Sequence, residues 1–190
     1  MNTAADNWLP RHRIDVDAFH RMVETGILAP DARVELIHGE MLDMVPIGSR
    51  HAAAVNRLNW RFFQACAAHG IVSVQHPLRL DRYSEPQPDI AVLKPRADFY
   101  AARHPTAEDV LLVVEVCETS LRYDREIKTP LYAHHGVTEL WLVDVQDKQL
   151  MVMREPQCEQ YRSSIVQSSG MLQIAALPEV SIDVAWLLGQ

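Results

Sequence analysis

The sequence has little cysteine: three residues, Cys66, Cys117 and Cys158, in a chain of 190. They lie far apart and form no CxxC pair. Zinc-site and disulfide-framework readings are therefore weak, and a reducing cytoplasm is the expected setting. No apolar run approaches the ~20 residues of a membrane helix. Met1 to Asp6 lacks a basic region followed by an apolar stretch, so no secretory signal is expected. There is no Gly-rich phosphate loop, nucleophile-elbow serine or HExxH helix, which removes nucleotide-binding, serine-hydrolase and zinc-protease readings. Basic charge is also short: 18 Lys and Arg stand against 25 Asp and Glu, for a net charge of -7. That argues against a broad basic surface for duplex nucleic acid, whose binding is dominated by phosphate neutralisation. It leaves metal-dependent chemistry open, because clustered carboxylates are acidic by necessity and a metal ion reverses the local sign.

What is present reads as one α/β (α+β) domain over 1–190, with 1–10 as a loose N-terminal arm. A chain of this length buries well over half of its unfolded surface. Asp15 or Asp17 can cap a helix carrying Phe19, Met22 and Val23, ending at Gly26. Arg33 to Ile37 and Met41 to Val45 flank the turn His38-Gly39-Glu40 and predict a hairpin. Ser49 is expected to cap a long helix through Ala68, closed by Gly70. Ile71 to Val74 and Leu78 to Leu80 read as strand pieces, and Asp81 to Pro88 as a polar loop. Ile90 to Leu93 and Val110 to Val116 are valine-rich runs suited to central strands buried on both faces. A helix is expected from about Asp124 to His134. Strands follow at Glu139 to Val145 and Leu150 to Met153, then one or two more, with a capped helix at Ser181 to Trp186. Strands and helices in this order predict a mixed sheet flanked by helices.

The chemistry sits in the middle of the chain. Pro88-Asp89-Ile90-Ala91-Val92-Leu93 opens an apolar run on a carboxylate, and Val110 to Val116 encloses Glu115. A carboxylate in a buried strand is costly without a positive partner. A metal ion is one explanation, and an ion pair with Lys128 on the next helix is the other. Asp124, Lys128 and Tyr132 fall at i, i+4 and i+8, on one helical face. Lys128 and Tyr132 are expected to face the acids, with Asp124 mainly a helix cap. Each residue also has a plainer reading. Asp89 can be a strand-edge acid, Glu35 an outward strand residue and Lys128 a solvated lysine. Tyr132 can be a packing residue with a polar tip, and His51 a capping or surface histidine. His134-His135 reads as a favourable charge at a helix end, Cys117 as a small core residue, and Trp141 as core or dimer surface.

The chain resembles the Uma-two family, a restriction-endonuclease-like group of the PD-(D/E)XK nuclease superfamily. The resemblance is carried by Val34-Glu35-Leu36-Ile37-His38-Gly39-Glu40, by His51 in Ser49-Arg50-His51, and by Pro88 to Val92. It continues through Leu112 to Val116, Tyr123-Asp124-Arg125-Glu126-Ile127-Lys128 with Tyr132, and Gly136 to Asp144. The resemblance implies a restriction-endonuclease-like mixed β-sheet. It also implies that Asp89, Glu115 and the carbonyl of Val116 hold Mg²⁺ or Mn²⁺, with Glu35 as an auxiliary acid. The superfamily lysine usually follows the second acid by two residues, where this chain has Cys117. In the resembling family a lysine on the next helix takes its place, which points to Lys128. Glu118 and Thr119 stand where that family usually has small serine or proline residues, and Glu118 adds negative charge.

Phosphodiester hydrolysis suits this set. A hard dication stabilises the phosphoryl oxygens and the leaving alkoxide and lowers the pKa of a bound water. Mg²⁺ accepts two carboxylates and a carbonyl and keeps several waters. The leading expectation is a Mg²⁺- or Mn²⁺-dependent DNA endonuclease using Glu35, Asp89, Glu115 and Lys128. His51 and Tyr132 would serve as substrate contacts or supporting groups, and a homodimer is expected from the class. Two alternatives stay open: a non-catalytic module binding nucleic acid or protein, and a structural homodimer with an Asp89-Glu115-Lys128 ion-pair network.

Overall fold

The computed structural model describes residues 11–190; the expected arm at 1–10 lies outside the described residues. Six strands form the central sheet in the order β3-β4-β5-β6-β7-β8. These are Ile71–Val74, Ile90–Leu93, Val110–Cys117, Glu139–Asp144, Gln149–Gln157 and Gln160–Gln167. The β5–β6 pair is parallel and the other pairs are antiparallel, so the sheet is mixed. A parallel pair needs a crossover, and here it carries α3 (Leu121–Tyr123), a π-helical turn (Asp124–Lys128) and α4 (Thr129–His134). The expected hairpin is β1 (Val34–Ile37) with β2 (Glu40–Asp43), and β9 (Met171–Ile174) pairs with β10 (Leu177–Asp183). No helix among the described residues is long and apolar enough to cross a membrane.

Both faces of the sheet are covered, which is why β4 and β5 are almost continuously apolar. On one face the long helix α2 (Ser49–Cys66) lays Leu58 and Phe62 against Val114 and Trp141. The rings of Phe62 and Trp141 are tilted, with centroids 5.7 Å apart. The β9–β10 pair and α5 (Val184–Leu187) close this layer. On the other face Tyr132, Val137, Leu140 and Leu142 pack together. A smaller cluster joins Val16 and Phe19 of α1 (Val16–Glu24) to Val34 and Leu36.

Several local expectations change. Asp15 caps α1 as expected, accepting from the Ala18 N–H at 2.7 Å. Gly48, not Ser49, is the cap of α2. Gly70 does not close α2 in a left-handed turn; a Cβ there would lie 2.7 Å from the Leu93 carbonyl oxygen, so its role is the close approach to β4. Leu78 to Leu80 contributes one isolated bridge, Arg79 to Thr106, rather than a strand. The polar loop 81–88 is drawn inward, with Ser84 and Glu85 buried and the Glu85 N–H donating to Leu36 O at 2.7 Å. Ser181 to Asp183 belongs to β10, and Asp183 caps α5.

Glu139, in the distinctive Thr138-Glu139-Leu140-Trp141 block, is a structural acid. It is fully buried. It accepts from Trp141 Nε1 at 2.8 Å, from Arg154 at 2.7 and 2.9 Å, and from the Ala175 N–H at 2.6 Å. One carboxylate thus ties β6 to β7 and to the β9–β10 turn. Glu139→Ala strands those donors, and the expected loss is about 3 kcal/mol. Chemical denaturation checks it; a loss below ~1 kcal/mol would mean that water replaces the carboxylate.

Candidate active site

The ends of β4 and β5 open into a cleft of about 450 Å³. The Ile90–Val114 pairing sets Asp89 next to Glu115 across the sheet. The Asp89 N–H donates to Glu115 Oε2 at 3.3 Å, and the Val116 N–H donates to Asp89 Oδ2 at 2.8 Å. The other Asp89 oxygen, Oδ1, lies 2.9 Å from His51 Nε2 and accepts from Gln75 Nε2 at 3.1 Å. The β3–β4 register extends to place Gln75 opposite Asp89, and its backbone takes a left-handed turn at φ 52°.

Glu115 is 2% exposed and Lys128 5%. Glu115 Oε1 accepts from Lys128 Nζ at 3.2 Å and from the Tyr132 hydroxyl at 2.6 Å. Lys128 Nζ also lies 3.3 Å from Glu35 Oε2. Glu35 Oε1 accepts from the Tyr123 hydroxyl at 2.9 Å, and its Oε2 from the Gln87 N–H at 3.3 Å. The structure thus brings together all the candidates: Glu35, His51, Asp89, Glu115, Val116 and Lys128 line the cleft, and Tyr132 supports it from below.

Asp124 was expected to cap the helix. It is instead buried inside the helix and lines the same cleft. The cause is the π turn. Pro130 has no N–H, and its ring pushes against the carbonyl four residues back. The turn widens, and Thr129 donates to the Asp124 carbonyl through both its N–H and its Oγ1. Nine residues of unbroken α-helix are about two and a half turns, which would put Tyr123 and Tyr132 on opposite sides. The wide turn lets both reach the cleft's acids. Tyr123, Gln75, Gln87 and the inward face of Asp124 went unread in the sequence; Pro130 inside a helical pattern was the available signal.

The electrostatics follow from carboxylates outnumbering cations. Burial pushes the Glu115 carboxyl up to about 8; Lys128 pulls it back, and the charges of Asp124 and Asp89 push it further. Burial also holds Asp124 above its usual range, against Lys128. Burial would lower Lys128, but Glu115, Glu35 and Asp124 hold it protonated and above its ordinary value. The bond to Asp89 raises the His51 imidazole against burial, with help from the Asp89 and Glu118 charges and the Val116 backbone. Burial would raise Asp89, but His51, the Val116 N–H and Gln75 bring it below its usual value. Burial and Asp124 push the Cys117 thiol far up, so it is a core residue and not a nucleophile. Glu118 accepts from the His51 N–H at 3.3 Å, which keeps its charge at the cleft.

Among the described residues, only His20, Glu85 and His104 place three His, Cys, Asp or Glu ligand atoms within 4.8 Å of one another. Glu35, Asp89 and Glu115 do not, since Lys128 stands between Glu35 and Glu115. An ion at Asp89 and Glu115 would therefore rest on two carboxylates and the Val116 carbonyl.

No curated protein matches the chain in sequence. The fold is similar to that of a crystal structure described as a putative nuclease belonging to DUF820 from Anabaena variabilis ATCC 29413. The TM-score is 0.70 at 14% identity, over 93% of this chain and 98% of that one. A family model, Uma2, described as "Putative restriction endonuclease", matches residues 16–185. The chain belongs to the Uma2 family.

Proposed function

We propose that the protein is a divalent-metal-dependent endonuclease that hydrolyses phosphodiester bonds in DNA, working as one domain and as a cytoplasmic homodimer. The observation that carries this reading is the convergence of Glu35, Asp89, Glu115 and Lys128 on one cleft at the ends of β4 and β5. Asp89, Glu115 and the Val116 carbonyl would hold Mg²⁺ or Mn²⁺. The donor set fits: it is all oxygen, as hard dications prefer. Its carboxylates outnumber the one lysine, and the His51 imidazole rests against Asp89 Oδ1 at 2.9 Å, on the oxygen that an ion could take. When bound, the ion supplies charge stabilisation at the phosphoryl group and an acidified water.

The chain's own residues do the rest. Lys128 and Tyr132 fix Glu115 Oε1, leaving Oε2, among the described residues, with only the long contact to the Asp89 N–H. Gln75 and the Val116 N–H hold Asp89 in place. Lys128 keeps its proton at Nζ between Glu35 and Glu115, where it can orient a water or neutralise a leaving oxygen. His51, released from Asp89, can turn toward a phosphate.

A second reading is favoured by one observation: Lys128 is already paired twice, with both partners buried. On that reading the set is an ion-pair network inside a non-catalytic nuclease-like module. Purified protein with supercoiled plasmid and single-stranded DNA, with and without Mg²⁺ or Mn²⁺, separates the two. Metal-dependent cutting supports the endonuclease; no cutting on either substrate, with no Mn²⁺ bound, leaves the network. For the dimer, Trp60 and Phe63 on α2 and Trp186 on α5 form an exposed apolar patch, with Trp60 and Trp186 rings 5.5 Å apart. Sedimentation equilibrium is expected to show a dimer that Trp60→Glu turns into monomer; an unchanged mass in the variant would remove this patch from the interface.

A further inference from the structure

Away from the cleft, three segments distant in sequence bring His20, Glu85 and His104 together, with ligand atoms all within 4.8 Å. His20 lies on α1, Glu85 on the loop 81–88, and His104 on the connection between β4 and β5. His20 Nε2 is 2.6 Å from Glu85 Oε1, and the His20 and His104 rings meet edge to face at 5.7 Å. Glu85 is 2% exposed. Its second oxygen, Oε2, is buried and has no hydrogen-bond partner among the described residues. A buried carboxylate oxygen left unpaired is costly. The two oxygens of a carboxylate share one carbon, so the unpaired Oε2 belongs to the same group that meets His20 through Oε1.

We infer that His20, Glu85 and His104 form a second metal site, selective for a borderline transition ion of the Zn²⁺ class and separate from the cleft. Two imidazoles and one carboxylate are a donor set for Zn²⁺ rather than for Mg²⁺. His104 is exposed and His20 half-buried, so the ion has a way in and a water can take the fourth position. Tetrahedral ligands at ~2.0 Å from the metal sit about 3.3 Å apart, so the His20–Glu85 pair opens by well under an ångström. Binding releases the proton now shared between His20 Nε2 and Glu85 Oε1, or moves it to His20 Nδ1. The ion would pin α1, the loop leading into Asp89, and the 95–109 connection to one another.

Co²⁺ titrated into the whole protein, free of Mg²⁺ and Mn²⁺, tests this. Wild type is expected to show the visible d–d bands of tetrahedral Co²⁺ at one equivalent, displaced by Zn²⁺. The bands vanish in His104→Ala, a surface change that leaves the core intact, and in Glu85→Gln, but persist in Asp89→Ala. Zn²⁺ affinity in His104→Ala falls by about 100-fold or more, beyond the ~10–100-fold of outer-shell changes. Bands absent in wild type, unchanged in His104→Ala, or lost only in Asp89→Ala would overturn the site.

Discussion

On the proposed function, Asp89→Ala is expected to abolish metal-dependent DNA cutting, by at least about 1000-fold, while the protein stays folded. Removing a proposed metal ligand would forfeit several kcal/mol of transition-state charge stabilisation, and each ~1.4 kcal/mol is tenfold in rate. The structural loss is smaller. Asp89 lines the cleft, so water there can meet the side chains of His51 and Gln75, while the Val116 N–H loses a buried acceptor. Losing those bonds is expected to lower stability by about 1–2 kcal/mol. Plasmid nicking beside a thermal melt reads both quantities. A drop in cutting under about tenfold with the melt unchanged would take Asp89 out of the reaction.

Lys128→Met is expected to show the larger stability effect, about 3–5 kcal/mol at about pH 9, because it leaves Glu115 and Glu35 buried without their cation. The pH dependence distinguishes charge from packing. The Glu115 carboxyl is raised to about 8 in the folded protein from an ordinary 4.5. A raised acid binds its proton more tightly when folded. The penalty it imposes is therefore absent below the ordinary value and complete above about 8, so stability falls as pH rises through that window. Without Lys128 the carboxyl rises further. The deficit of the variant relative to wild type should be larger at about pH 9 than at about pH 5. Urea unfolding at the two pH values measures it; an equal deficit at both would mean that Lys128 serves packing alone.

The strands of this fold were legible because apolar runs such as Ile90 to Leu93 and Val110 to Val116 are short and valine-rich, which favours strands covered on both faces. The convergence of Asp89, Glu115 and Lys128 was legible too, since a carboxylate inside such a run demands a partner. What escaped were groups whose placement depends on the third dimension. Gln75 faces Asp89 only through the β3–β4 register and a left-handed turn. Tyr123 and Asp124 face inward only because the helix is not a regular α-helix. Glu85 sat in a stretch that reads as solvated, yet its backbone bridges to Leu36 and carries it inside. Periodicity describes one element at a time, and these positions are fixed between elements.

The widened turn at Asp124–Lys128 makes segment length a constraint of its own. Dropping one residue there, such as the outward Ile127, would let a regular α-helix form without loss of helicity, and eight residues at about 100° each would leave Tyr123 and Tyr132 about 80° apart, still on one side. An insertion there, or a deletion beyond the wide turn, would instead swing one hydroxyl away from its acid, Glu35 or Glu115. Substitutions on the outer face of this segment, and a deletion confined to the wide turn, should be tolerated by divergence, whereas an insertion would be a frameshift in space, with every side chain intact and the wrong ones facing the cleft.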